Sequence, residues 1–118
     1  MNDLMQKAYI EAIYFTETGE DGQPSPDAEL TEATKHEAWA ACHRLRLACS
    51  RHDGIDLKQY DPVQLGHDLW LTRNGHGAGF WDRPEIYGKE NARILTLMAH
   101  AMGEHYAEFE EGESCDQN

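Results

Sequence analysis

The hydrophobic pattern of the chain is clearest between positions 38 and 49, where apolar side chains recur every three or four residues. This spacing places them on one face of an α-helix. The helix is expected to begin near Thr31 and to stop at His52-Asp53-Gly54, where a glycine follows the periodic stretch. Its predicted apolar face consists of Ala38, Ala41, Cys42, Leu45, Ala48 and Cys49.

Two further stretches have helical spacing. Residues 91–109 predict a second long helix, and residues 1–16 predict a shorter one. The N-terminal run Ile13-Tyr14-Phe15 also suits a β-strand, so a strand over residues 9–16 is the alternative there. Pro62 and Gly66 bound a single predicted turn of helix. The apolar face of the C-terminal helix would carry Ile94, Met98, Ala101, Met102, His105 and Phe109.

A β-hairpin is predicted in the middle of the chain. The runs DLWLTR and GAGFWD lie on either side of an Asn74-Gly75 corner, and Asn-Gly between two apolar–aromatic runs is typical of a tight hairpin turn. The predicted fold class is therefore α+β, with two long helices and a shorter N-terminal helix (or strand) packed on a small antiparallel hairpin. Residues 1–109 would form one compact domain, and residues 110–118 an acidic flexible tail.

Composition narrows the function classes. The 118 residues are 40% hydrophobic and carry a formal charge of −12, which is enough for one core and is unfavourable for binding nucleic acid directly. No apolar run reaches the roughly 20 residues that span a bilayer, and no basic-then-apolar leader is apparent, so a cytoplasmic protein without a membrane partner is expected. Cys42, Cys49 and Cys115 form no CxxC pair, which favours a reducing compartment.

The negative charge is concentrated at both ends of the chain. Residues 1–40 hold nine acidic and two basic side chains, and residues 91–118 hold six and one. If the ends meet in space, they form an acidic surface that imitates a nucleic-acid backbone and attracts a basic groove. The alternative is a charged surface that only keeps the protein soluble. The candidate partner-binding residues are Asp27, Glu29, Glu32, Glu37, Glu104, Glu108, Glu110 and Glu111.

Residues 66–83 read GHDLWLTRNGHGAGFWDR. This stretch resembles the signature of a family of small uncharacterised phage and prophage proteins, GHDFWLTRNGHGAGFWDR, and YIEAIYFTETGEDGQP more loosely resembles that family's opening segment. The resemblance implies a protein of the infected bacterial host's cytoplasm and transfers no activity. Family members often continue into a short acidic strand near the C-terminus, whereas a helix is predicted here over residues 89–109.

The motif has two interpretations. In the first, backbone N–H groups of residues 75–79 form an anion site, with His76 as acid or base. In the second, the glycines supply unusual dihedral angles and the polar side chains fix the corner. No GxSxG sequence is present, so hydrolase chemistry is not expected. The candidate site residues are Arg73, Asn74, His76, Asp82 and Arg83.

Seven histidines prompt the question of a metal site. The best candidate ligands are His67, Asp68 and His76, which would meet across the predicted hairpin. No HExxH or CxxC supports them, so neither a metal nor another cofactor is predicted.

The leading functional hypothesis is a non-enzymatic phage protein that binds and inhibits or modulates a host protein. The expected partner has a basic nucleic-acid-binding surface, as in a CRISPR effector, a nuclease or a restriction enzyme, so the chain would act as an anti-CRISPR or anti-restriction type of nucleic-acid mimic. A second hypothesis is a small enzyme or a ligand- or metal-binding domain centred on residues 66–83. A third is a homodimer whose helices pair through residues 38–49.

Overall fold

The computed structural model describes residues 3–51 and 55–110, and the secondary structure of these residues is helical. The order is α1 (Leu4–Glu17), α2 (Glu32–Ser50), α3 (Pro62–Arg73), α4 (Pro84–Tyr87) and α5 (Lys89–Ala101), with short 3₁₀ helices at Leu57–Gln59 and Phe80–Asp82. The α+β prediction is wrong, since no β-strand forms in the described part of the chain and the only β feature there is one isolated bridge. No helix among these residues is both long and apolar enough to cross a membrane.

The first half of the predicted hairpin is the second half of α3. Asp61 caps this helix, its side chain accepting a hydrogen bond from the Val63 N–H, and Pro62 occupies the first turn, a common start for a helix. Gly66 does not end it. A Cβ at Gly66 would collide with the Met5 carbonyl oxygen, so glycine is required there because α1 crosses α3 closely.

The second half of the predicted hairpin is a returning loop. Gly75, Gly77 and Gly79 do adopt positive φ, at 66°, 82° and 148°, but the chain then enters the Phe80–Asp82 3₁₀ helix instead of a strand. The Phe80 N–H donates to Thr72 Oγ1 over 3.0 Å. This bond folds the loop back onto the end of α3.

The N-terminal segment is helical and not a strand, with Asp3 as its N-cap. Helix α2 agrees with the prediction, and Thr31 caps it through a hydrogen bond from the Thr34 N–H. Its small apolar face is buried in the core against the other helices. The stripe that the homodimer hypothesis would pair, within residues 38–49, is thus packed in the chain's own core.

The predicted C-terminal helix is too long. Helix α5 ends at Ala101, and Gly103 at a φ of 79° redirects the chain. Residues 104–110, called here the acidic segment, are outside any helix, and Phe109 forms an antiparallel bridge with Leu30. The reason is an alternation of period two, in which His105, Ala107 and Phe109 are buried or half-buried while Tyr106, Glu108 and Glu110 are exposed.

The predicted tail, 110–118, falls outside the described residues except for Glu110. The Glu110 N–H donates to the Glu29 carbonyl over 2.7 Å. The predicted helix stop at 52–54 and the candidate residue Glu111 also lie outside the described part of the chain.

Candidate functional site

The motif residue Asp68 lies at the centre of a buried hydrogen-bond network. Its carboxylate is fully buried and accepts hydrogen bonds from Arg83 Nε at 2.9 Å, Tyr87 Oη at 2.6 Å and Gln64 Nε2 at 2.9 Å. Its hydrogen bond with Arg83 raises the pKa of that guanidinium. Burial, reinforced by the Asp68 carboxylate, raises the pKa of Tyr87. Asp68 and Arg83 therefore join α3 to α4.

Arg73 also points into the protein. Its side chain is 3% exposed, and its Nε and Nη2 donate to the carbonyls of Gly103 and Met102 at 2.8 and 3.2 Å. Its Nη1 donates to the hydroxyl of Tyr9 at 3.1 Å and to Glu37 Oε2 at 3.0 Å. Arg73 thus holds the carbonyls at the end of α5 and does not face a solvent anion.

The Tyr9 hydroxyl links Arg73 to His105. Because Arg73 can only donate, Tyr9 accepts from it and donates to His105 Nδ1 over 2.7 Å. Burial and the nearby Arg73 charge lower the pKa of His105, and burial raises that of Tyr9. Burial and the Arg73 charge thus favour the neutral form of His105, and the bond with Tyr9 attaches the acidic segment to α1.

Asn74 and the loop glycines also bond internally. Asn74 Oδ1 accepts the His105 backbone N–H at 2.9 Å, and Asn74 Nδ2 donates to the Trp70 carbonyl. The N–H groups of Gly75, His76 and Gly79 donate to Thr72 O, Leu71 O and Asp82 Oδ1, respectively. Most of the N–H groups of the predicted anion site are thus already used within the fold. The described contacts favour the structural interpretation of the motif.

The candidate residue His76 is exposed, and its ring contacts a neighbouring helix. Its Nε2 lies 3.3 Å from Glu17 Oε2, at the end of α1. The ring stacks near Trp70, with centroids 6.1 Å apart. His76 thus borders an opening between α1 and the loop.

The three candidate metal ligands point to different places. His67 lies 3.5 Å from Glu11, Asp68 is in the core network, and His76 faces Glu17. Within residues 3–51 and 55–110, no group of three or more His, Cys, Asp or Glu side chains is placed to hold a metal ion.

Part of each acidic region lies beside part of the other, with residues 29–34 against residues 108–110. The Thr31 N–H donates to the Glu108 carbonyl over 2.9 Å and the Glu110 N–H to the Glu29 carbonyl, while the Glu108 N–H donates to Thr34 Oγ1. These bonds set the acidic segment beside the start of α2. The exposed carboxylates around this junction, called here the acidic face, are Glu29, Glu32, Glu108 and Glu110.

Other candidate acidic residues have different positions. Lys35 offsets part of the acidic face, with its ammonium 3.2 Å from Glu32 and 3.9 Å from Glu29. Asp27 is exposed two residues before Glu29. Glu37 is half-buried and paired with Arg44 and Arg73; burial opposes its ionisation, but these hydrogen bonds hold its pKa below the ordinary value. Glu37 thus supports the interior and is not part of the acidic face.

A small groove opens beside the acidic segment, with a volume of about 230 Å³. The local sequence pattern does not predict this groove, because it joins the end of α1, the motif loop and the acidic segment. The alternation of apolar and polar positions in residues 104–110 could have predicted that Glu104 and Tyr106 are exposed. The groove is lined by Glu17, Trp70, Asn74, His76, Glu104 and Tyr106, among others.

A larger groove of about 510 Å³ lies between α1, α2 and the Leu57–Gln59 helix. Its walls are mainly apolar and include Met5, Ile55 and Leu65. Arg46 in its wall is held by two hydrogen bonds to Asp3, at 2.9 and 3.1 Å. Burial raises the pKa of the Cys49 thiol to about 11, so this thiol is protonated near neutral pH and is a poor nucleophile.

No protein-family model, curated protein or solved structure shows significant similarity to this chain. The fold and the site together describe a small helical protein with a largely buried central motif, an acidic face and a neighbouring groove.

Proposed function

We propose that this protein binds a basic protein surface that otherwise holds nucleic acid, and that it thereby inhibits or modulates the protein that carries that surface. The observation that supports this proposal is the pairing of Leu30 with Phe109. It joins two acidic regions that are about 80 residues apart in the sequence.

The geometry suits recognition of a basic groove. Glu108 and Glu110 are exposed and two residues apart on an extended backbone, a separation of about 6.6 Å. The side chains of Glu29 and Glu32 beside them are 72% and 89% exposed. Exposed carboxylates on a backbone held by hydrogen bonds present negative charge to the basic side chains of a phosphate-binding surface.

In this proposal the acidic face and the exposed Tyr106 contribute to binding in different ways. The acidic face steers a basic partner and raises the association rate, chiefly at low salt. Tyr106 lies between Glu104 and Glu108 and is 78% exposed. Tyrosine is a frequent anchor in protein interfaces, so the same segment supplies both charge and an aromatic contact.

The proposed source of the partner is the bacterial host of a phage. The support is the resemblance of residues 66–83 to the signature of small phage and prophage proteins. A partner of this kind would be a nuclease, a restriction enzyme or another nucleic-acid-handling defence protein. The motif itself supports this function indirectly, because Asn74 bonds to His105 in the acidic segment and Arg73 bonds to the Met102 and Gly103 carbonyls just before it.

The proposal is tested by affinity capture from nuclease-treated bacterial lysate with the wild type and two double variants. Glu108→Gln with Glu110→Gln removes two charges from the acidic face. The control, Glu85→Gln with Glu90→Gln, also removes two charges, but from α4 and the first turn of α5. The acidic segment follows the opposite end of α5, about 18 Å away along the helix axis. We expect the first variant to bind a captured partner about tenfold more weakly, with the control close to the wild type.

Competing duplex DNA is the second arm of this experiment. It should release the captured partner from the wild type, because protein and DNA would occupy one site. A partner that stays bound with excess DNA, or that binds both double variants equally, would contradict the proposal.

A further inference from the structure

The small groove beside the acidic segment carries a more specific inference. We propose that it binds one arginine side chain of the basic partner. This inference rests on the proposed function and assigns the partner a single anchoring residue. The acidic face would attract the surface as a whole, while the groove would take one guanidinium from it.

The size and walls of the groove suit one long side chain. Its volume is about 230 Å³, too small for a nucleotide or a folded element and sufficient for one extended residue. The accessible rings of the groove are those of His76 and Tyr106, while Trp70 is only 1% exposed and stacks against His76 with the ring planes 29° from parallel. A planar guanidinium packs favourably on aromatic rings of this kind.

Two carboxylates face this groove with unused hydrogen-bonding capacity. Glu17 Oε2 accepts from Thr16 Oγ1 at 3.0 Å and lies near His76, and Glu104 Oε1 accepts from Tyr106 Oη at 2.6 Å. Among the described residues, Glu17 Oε1 and Glu104 Oε2 have no hydrogen-bond partner. Each of these oxygens is thus available to a guanidinium N–H.

Arginine is favoured over lysine by the shape of the site. A guanidinium has five donors in one plane, so it can reach carboxylates on two walls while its face rests on a ring. An ammonium is a compact charge that keeps its hydration more strongly. The groove has carboxylate acceptors and aromatic rings in its walls. A guanidinium can donate to the carboxylates and pack on a ring at the same time.

The test is an NMR titration of the full chain with three capped five-residue peptides. The peptides are identical except for a central arginine, lysine or citrulline, the last being an uncharged analogue of arginine with nearly the same shape. The arginine peptide should produce saturable shifts of the Trp70 indole N–H and the His105 backbone N–H. We expect lysine to bind at least about threefold more weakly, and citrulline about tenfold more weakly.

Variants separate the groove from the acidic face. Glu17→Gln with Glu104→Gln should weaken the arginine peptide about tenfold, whereas Glu108→Gln with Glu110→Gln should change it less than twofold. Thermal unfolding of each variant checks that the fold persists. Equal binding of arginine and citrulline, equal binding of arginine and lysine, or no effect of the groove variant would overturn the inference. If the groove variant has no effect and the acidic-face variant still loses the captured partner, only the groove assignment fails.

Discussion

His105 is the residue whose protonation state matters most to the fold. It is 8% exposed, and its Nδ1 accepts the hydroxyl hydrogen of Tyr9. Tyr9 in turn accepts from Arg73, which is cationic at all ordinary pH values. A proton on His105 Nδ1 would break this order of donors and place a second positive charge beside Arg73.

This arrangement makes the free energy of unfolding depend on pH. The folded pKa of His105 is lowered from its ordinary 6.5, so the unfolded chain takes up the proton first as the pH falls. The stabilisation is complete above about pH 6.5 and is lost as the pH falls toward the folded pKa, with a slope of at most about 1.4 kcal/mol per pH unit. Urea unfolding between pH 5 and 8 measures it.

The control for this prediction is His105→Gln, which can accept a hydrogen bond and does not titrate. It should be less stable than the wild type at pH 7.5, and the difference should shrink toward pH 5. A difference that stays constant across this range would show that His105 keeps its ordinary pKa in the folded protein.

Single residues also show why the central motif was misread from the sequence. Asp68 and Arg73 belong to the run DLWLTR, which was predicted as a strand of a β-hairpin, with Asp68 as a candidate metal ligand and Arg73 as a candidate site residue. Both are buried because each has a full set of partners: Asp68 binds Arg83 and Tyr87, and Arg73 binds carbonyls and Glu37. These partners come from other elements, which a local pattern does not contain.

At the scale of elements, the close contact of α1 with α3 organises the core. Gly66 lies where the helices cross, and a Cβ there would meet the Met5 carbonyl oxygen and lie 2.9 Å from Ala8 Cβ. Backbone atoms of α1 cannot move aside as a flexible side chain can. A larger residue would force the two helices apart.

Gly66→Ala therefore gives an expected result that opposes helix propensity. In an open helix, alanine is more favourable than glycine by about 1 kcal/mol. Here we expect a loss of about 2–4 kcal/mol in the free energy of unfolding, because the helices separate or the backbone strains. Val63→Ala, on an exposed position of the same helix, should change stability by less than about 1 kcal/mol. Urea denaturation that finds Gly66→Ala neutral or stabilising would refute the close approach.

Elements with one buried face were predictable, and those without one were not. Helix α2 shows its apolar stripe at helical spacing because its other face is exposed. Helix α3 buries Leu65, Asp68 and Trp70 around much of its circumference, so no stripe marks it. The Asn74-Gly75 corner was recognised as a turn, but the turn follows a helix.

The acidic segment illustrates a second limit. Helical spacing through His105 and Phe109 competed with an alternation of period two, and both patterns fit the same apolar residues. Gly103 was the deciding signal, because its positive φ ends α5. The pairing with Leu30 was beyond local inference, since its partners are distant in the sequence.

For the whole molecule, the negative charge of −12 is unevenly distributed. Some of the carboxylates form ion pairs with partly or fully buried side chains: Glu37 pairs with Arg73, and Asp68 pairs with Arg83. Another part lies on the acidic face, where residues 29–31 bond to residues 108–110. Backbone hydrogen bonds between residues 29–31 and 108–110 hold these carboxylates in one place, and Asn74 of the motif bonds to the same acidic segment at His105.

The most direct measurement of this account is displacement of a labelled DNA duplex from the captured partner, followed by fluorescence anisotropy. Added wild-type protein should return the anisotropy to that of free DNA, and raising the salt from 50 to 200 mM should weaken this competition. Glu108→Gln with Glu110→Gln should require about tenfold more protein, and Glu85→Gln with Glu90→Gln should match the wild type. An anisotropy that stays high or rises, as in a complex that holds protein and DNA together, would contradict the proposal that the acidic face occupies the nucleic-acid site.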